Sequence, residues 1–330
     1  MVELHDRMRR RIALAIFFGV GLMPTLGVSA WGLWWHSTRH VAAEAEHLGW
    51  RLGMKVRIAG VRHPRPGAIV YEEVEAREPE TNQPVFRCRE VEAWWESPEG
   101  DAKGPLLRIV LSQPEINAVQ WAEAWRLVDR VLSARAEPND VRLNLLAGQL
   151  TLAGRGESFK LQQVEGRVES LPGGPQAWVT FRPAGSEAPE PARLWVTRNR
   201  HLSPPATGWT LETAGSFLPC RLLALGLPGF GLLGSRCRFS GTLMAGPSED
   251  GPSGELAGQF IEVDLEHLVP DRTSHRLTGT ADLNVETARF GSGRLQEGAG
   301  SLVAGPGMVS RSLLEMAMGR LGMAGGPGID

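Results

Sequence analysis

Close to the N-terminus stands a run of 24 residues without a single charge: residues 12–35 read IALAIFFGVGLMPTLGVSAWGLWW. A helix rises about 1.5 Å per residue, so the run extends about 36 Å and covers the ~30 Å hydrocarbon layer of a bilayer with some tilt. Arg7, Arg9, Arg10 and Arg11 precede it; after it, Glu44 and Glu46 lie between Arg39 and Arg51. Cations flanking a span stay on the cytoplasmic side. The pattern predicts a single-pass inner (cytoplasmic) membrane protein. Residues 1–11 lie in the cytoplasm, residues 12–35 form a transmembrane signal anchor, and the body is periplasmic. Arg9, Arg10 and Arg11 mark one membrane interface. Trp31, Trp34 and Trp35 mark the other, where amphipathic rings prefer the headgroup layer. The stretch also fits a signal peptide: Pro24 ends an apolar core, and Val28-Ser29-Ala30 is a small-residue pattern for cleavage after Ala30. Both readings export the body. The apolar run continues past Ala30 into the tryptophans, which favours the anchor.

Beyond this run the chain reads as globular. Its hydrophobic content of 42% and charged content of 22% exclude global disorder. A formal net charge of −2 gives no electrostatic ground for binding nucleic acid. The 40 glycines and 23 prolines are dispersed, which cuts the body into many short elements and favours a mainly β fold.

Local patterns fill in that outline. Residues 36–52 are polar and alanine-bearing, predicting a helical stalk that Gly53 ends. Residues 53–182 form a β-rich region, opening with Met54, Val56 and Ile58 in alternation with Lys55 and Arg57. A helix over 117–132 interrupts it, with Trp121, Trp125, Val128 and Leu132 on an apolar stripe that packs on the sheet. The loop 183–191, PAGSEAPEP, is the softest boundary. A second β-rich region covers 192–323, where Leu277, Gly279, Ala281, Leu283 and Val285 face one way. It ends in a helix over 310–321, and residues 324–330 are a flexible tail. The expected architecture is a transmembrane helix followed by an extended antiparallel sheet with two or three packed helices.

Catalytic constellations do not emerge. The chain has no G-x-S-x-G elbow, no phosphate-binding G-x-x-x-x-G-K-[ST] and no H-E-x-x-H. His36 and His40 share a helix face, but two ligands without a third make a poor metal site. Asp264 and Glu266 share a strand face, where solvation explains them better than acid–base work. The reading is therefore non-enzymatic, with no cofactor and no metal. Three cysteines, Cys88, Cys220 and Cys237, form no C-x-x-C. Cys220 and Cys237 could bridge in an oxidising compartment; the alternative is three small apolar side chains.

Several segments resemble AsmA-like proteins of the AsmA/TamB envelope type. They run from Gly53-Met54-Lys55-Val56-Arg57-Ile58 to Pro66-Gly67 and on through Val74-Glu75-Ala76-Arg77-Glu78-Pro79-Glu80-Thr81. The last four residues are similar to the family's D-P-x-T-like turn, with Glu78 in place of aspartate. Pro114-Glu115-Ile116 resembles the step after the next strand. Leu277-Thr278-Gly279-Thr280 and Gly298-Ala299-Gly300-Ser301-Leu302 are similar to its closing glycine-punctuated strands. The resemblance implies a curved, groove-like sheet with an apolar floor, and a role in envelope biogenesis that involves binding or guiding phospholipid. The alternative is a scaffold that binds an envelope protein partner through its sheet edges. At 330 residues the chain is short for spanning two membranes alone.

Overall fold

The structure, a computed structural model, describes residues 6–35, 37–97, 105–133, 142–154, 156–171, 174–199, 205–248, 251–268, 276–291, 294–313 and 315. The chain opens with α1 (Asp6–Ile16), a π-helical turn over Phe17–Leu22, and α2 (Met23–Trp35). The π turn has a local cause. Pro24 has no N–H to donate and its ring crowds the carbonyl four residues back, so the preceding turn widens. The Thr25 hydroxyl donates to the Gly21 carbonyl there, at 2.7 Å. Over Met8–Ala30 mean hydropathy reaches 2.0 with nothing packed against it, and the helix is long and apolar enough to cross a membrane.

Helix α3 (Thr38–Leu52) follows after a sharp turn. The Ser37 hydroxyl caps it by accepting from the His40 N–H, and Gly53, at φ 59°, ends it in the left-handed conformation. Then comes a single sheet of 16 strands. Its first part comprises β1 (Lys55–Arg57), β2 (Gly60–Arg62), β3 (Ala68–Arg77), β4 (Pro84–Glu96), β5 (Leu106–Ser112) and β6 (Glu115–Asn117). A 3-10 turn (Ala118–Gln120) leads into α4 (Trp121–Ser133), so the predicted helix begins four residues later than the apolar spacing suggests. Strands β7 (Arg142–Ala153), β8 (Ser158–Leu171), β9 (Gly174–Pro183), β10 (Ala192–Asn199) and β11 (Ala206–Glu212) continue the sheet. The short β12 (Leu218–Pro219), α5 (Cys220–Leu223) and a 3-10 segment (Pro228–Leu233) precede β13 (Arg238–Ser248) and β14 (Gly251–Asp264). Strands β15 (Thr280–Gly291) and β16 (Arg294–Ala304) close the sheet. Of the predicted C-terminal helix only its first turn is described, and the tail lies outside the described residues.

Strand order follows chain order, and neighbours are antiparallel with one exception. Strands β5 and β6 both run parallel to β7, and α4 makes the crossover that a parallel joint requires. The loop 183–191 joins β9 to β10, which pair from Ala192↔Phe181 onward, so the sheet runs across it unbroken.

The sheet is mainly β and bent. Glu73, Gln113, Gln163 and Glu262 have positive φ within or between strands, and register shifts fall at Gln162/Glu165 and Phe260/Val263. Such bulges bend a strand and raise its twist. Helix α4 shows the direction of the bend. Ala124 and Leu127 pack on Met54, Ala76 and Val85 beside β3–β4, while Trp125, Val128 and Leu132 pack on Ala177 and Val196 of β9–β10. Consecutive helix positions point about 100° apart. One level of α4 therefore touches two walls that a flat sheet would hold about 19 Å apart, which means the sheet curves around the helix.

Candidate functional site

The concave face is apolar from β7 to β15. Ala147, Leu161, Phe181, Leu211, Phe239 and Phe260 belong to one buried cluster along it. The middle of that face is not an open track. Helix α4 fills one part, and the segment from α5 through the 3-10 turn caps another. Leu222, Leu223, Leu227 and Leu233 pack on the cluster, and Phe230 packs edge-on against Phe239 and tilted against Phe260, with centroids 6.3 and 5.7 Å away. The two covers meet: a Cβ on Gly226 would stand 3.3 Å from the Trp121 indole nitrogen. Toward the C-terminus the cover ends. Every residue of β16 is exposed, and Leu302, paired with Leu283, is 53% exposed. The opposite face carries cross-strand ion pairs, among them Arg289 with Glu255 and Glu297 at 3.0 and 3.1 Å. Exposed pairs of this kind add little stability and keep the face wet.

At the other end of the sheet the body meets the N-terminal apolar helix. Trp34 and Trp35 stand edge to face, 6.0 Å between centroids, and both pack on His40. His63, in the turn between β2 and β3, packs edge-on against Trp35 at 4.1 Å. This seats the first hairpin of the sheet against the end of the N-terminal apolar helix. His40 is 5% exposed, and its Nε2 has no hydrogen-bond partner among the described residues. The expected pairing of His36 with His40 does not enter, because His36 lies outside the described residues. Helix α3 is tied to the sheet farther on, where the Tyr71 hydroxyl donates to Glu44 at 3.3 Å. Burial and the adjacent Glu44 carboxylate push the Tyr71 pKa up, so the phenol keeps its proton.

Between α3 and the edge strands β1 and β2 an open cleft of about 1130 Å³ follows directly from this seating. Val41, Ala42, Ala45 and Gly49 supply its helical wall; Val56 and Val61 face them from the sheet. Charged side chains of both signs also line it, the cations Lys55 and Arg57 and the carboxylate Glu46 together with the Arg62–Glu72 ion pair, and Trp50, 82% exposed, flanks it. The α3 wall was legible as small and apolar residues one and two helical turns apart. Its partner was not, because nothing local says which strand it meets.

The sequence-predicted residues fall as follows. Arg9, Arg10 and Arg11 are exposed on α1. Trp34 packs on His40, Trp35 packs on His40 and His63, and Trp31 belongs to α2. Cys220 and Cys237 are brought together, their sulfurs 2.8 Å apart in the buried cluster, with the thiols free. Glu78 closes its own turn: its carboxylate accepts from the Thr81 N–H and its backbone N–H donates to the Gln83 carbonyl. The Thr81 hydrogen bond lowers its pKa below the usual carboxylate range. Asp264 ends β14, accepts from the Glu266 N–H and pairs with His267, while Glu266 lies in the 3-10 turn Leu265–Leu268, so the two do not share a strand face as expected. Among the described residues, no group of three or more His, Cys, Asp or Glu could hold a metal ion. No protein-family model matches the chain, and a search of characterised proteins returns no match.

Proposed function

We propose that this is a non-enzymatic, membrane-anchored envelope protein that takes phospholipid into the cleft beside its membrane helix. The single observation that carries the reading is the cleft's position. An open hollow of about 1130 Å³, with apolar side chains on both walls and charged ones of both signs in its lining, adjoins the point where a membrane-length helix ends. Acyl chains suit walls of Val41, Ala45 and Val56, and a lipid phosphate suits Lys55 and Arg57. Four arginines before the apolar helix and tryptophans after it support a cytoplasmic N-terminus and a periplasmic body. Resemblance to AsmA-like proteins is in keeping with this role. The covers over the middle of the sheet confine the ligand to the membrane end, in contrast to the continuous groove that the resemblance implied.

The test is lipid content. The full chain, purified in mild detergent, should retain phospholipid on extraction and mass spectrometry, whereas Ala45→Trp, which fills the cleft, should retain little. Equal phospholipid in the two proteins would count against the cleft, and none in either would count against lipid binding. A second reading rests on β16, an exposed edge strand of 11 residues. Such edges accept a further strand from a partner. A photo-crosslinker at Val303 should then capture one envelope protein reproducibly, and its failure to do so would remove the scaffold reading.

A further inference from the structure

Two buried thiols face each other where the cap leaves the sheet. Pairing of β12 with β13 sets Leu218 against Phe239 and Pro219 against Arg238. The next pair in that register is Cys220 and Cys237. The Cys220 N–H donates to the Cys237 carbonyl at 2.8 Å, and the two Sγ atoms stand 2.8 Å apart. Antiparallel partners have Cα separations of about 4.5–5.5 Å, inside the range that a disulfide spans. The third thiol does not compete: Cys88 lies on β4 and donates to the carbonyls of Glu90 and Ser112.

The chain between the two cysteines is the cap itself. Its backbone bonds are largely internal, as in Ala224 to Cys220, Leu227 to Leu223 and Phe230 to Leu227. Apolar packing therefore holds it down, and the Cys220–Cys237 contact fixes its base.

We infer that Cys220 and Cys237 are joined by a disulfide in the mature protein, which staples the cap over the apolar face of the sheet. The inference rests on the reading that the body lies outside the cytoplasm, where disulfides persist. The co-reactant is a disulfide of the thiol-oxidoreductase class. One cysteine thiolate attacks it to give a mixed disulfide and releases one donor thiol. The second cysteine then displaces the other donor thiol, closing the Cys220–Cys237 bond. Two protons and two electrons pass to the donor, which leaves as a dithiol.

Peptide mapping of the full chain, alkylated on cell lysis and digested without reductant, tests this. The expected result is one linked pair of peptides carrying Cys220 and Cys237, with Cys88 alkylated once the chain is denatured. Reduction of the purified protein should lower its melting temperature by roughly 5–10 °C, as expected for opening a loop of about 17 residues. Cys220→Ser/Cys237→Ser should melt at the reduced value and no longer respond to reductant, whereas Cys88→Ser should keep the response. Alkylation of both cysteines in the unreduced protein overturns the inference when a C-terminal alkaline phosphatase fusion is active, which places the body outside the cytoplasm. An inactive fusion overturns the topology instead. The staple is then judged on purified protein with oxidised glutathione, where a Cys220–Cys237 link upholds it and its absence overturns it.

Discussion

Two carboxylates of the first hairpins are held ionised by their neighbours. At Glu75 burial pushes the pKa up, but hydrogen bonds from Arg77 and Arg87, at 2.8 and 2.9 Å, outweigh it and the net shift is down. At Glu78 the Thr81 N–H lowers it. Folding therefore depresses both values. Their stabilisation is present above the unfolded glutamate value of about 4.3 and is lost as pH falls through the lower folded values. Melting temperature should fall between neutral pH and pH 3, and Glu78→Gln should flatten that dependence; an unchanged slope would show that the turn carries none of it. Backbone contact sets a second constraint at this scale. Gly241 and Gly258 are cross-strand partners with φ of 154° and 148°. A Cβ on Gly258 would stand 2.3 Å from the Ser240 carbonyl oxygen, and one on Gly241 2.2 Å from that of Ala257. Gly258→Ala should cost about 1–3 kcal/mol in urea unfolding. Gly148→Ala, with nothing within 4 Å of its Cβ, should be near neutral and serves as the control.

Helix α4 decides how the elements fit. Its two apolar stripes address different walls, so damage to each should be felt in a different place. Leu132 is 1% exposed and packs with Trp125, Val128, Ala177 and Val196. Leu132→Ala should cost about 2–5 kcal/mol and raise hydrogen exchange in β9 and β10 first. Leu127→Ala should cost less and act on β3 and β4, because Leu127 is only partly buried against Met54, Ala76 and Val85. Uniform exchange across both walls in either variant would contradict this division. Asp129 adds a polar tie to the same wall, accepting from Arg198 and from the Thr207 hydroxyl at 2.7 Å. Periodicity in the sequence revealed Trp125, Val128 and Leu132 as one stripe. It was silent on Ala124 and Leu127 as a second one, because small and leucine side chains at a flank fit a solvent boundary equally well. The late helix start has a plain cause: Asn117 ends β6, pairing with Ala153, while its side chain accepts from the Val119 N–H. A residue can thus close a strand and cap the turn after it, and spacing alone assigns it to the helix.

Over the whole molecule, period-two alternation was enough to reveal a long antiparallel sheet, as in Ala281, Leu283 and Val285, which pack inward while Asp282 and Asn284 stay exposed. The parallel joint at β7 was hidden, since pairing partners are long-range and no residue encodes direction. Bulges were hidden too, because Glu73, Gln163 and Glu262 are ordinary strand residues whose positive φ is imposed by the bend. The candidate cleft shared that fate: it exists only because the α3 wall and the β1–β2 edge are brought together beside the N-terminal helix. The strongest sequence signal, the apolar helix, contributes least to the packing of the body. None of its most apolar window is buried, and its ring contacts with the body, among the described residues, come from Trp34 and Trp35. A chain beginning at Trp34 should therefore fold, remain soluble without detergent and melt within a few degrees of the full protein. It should also lose its phospholipid, because the cleft would no longer be held at a bilayer. Circular dichroism, melting and lipid extraction on the two chains check both halves. An unfolded truncation would make the membrane helix part of the body's core. A folded one that keeps its lipid would show that the cleft fills from solution, with the anchor serving only to keep the protein in place.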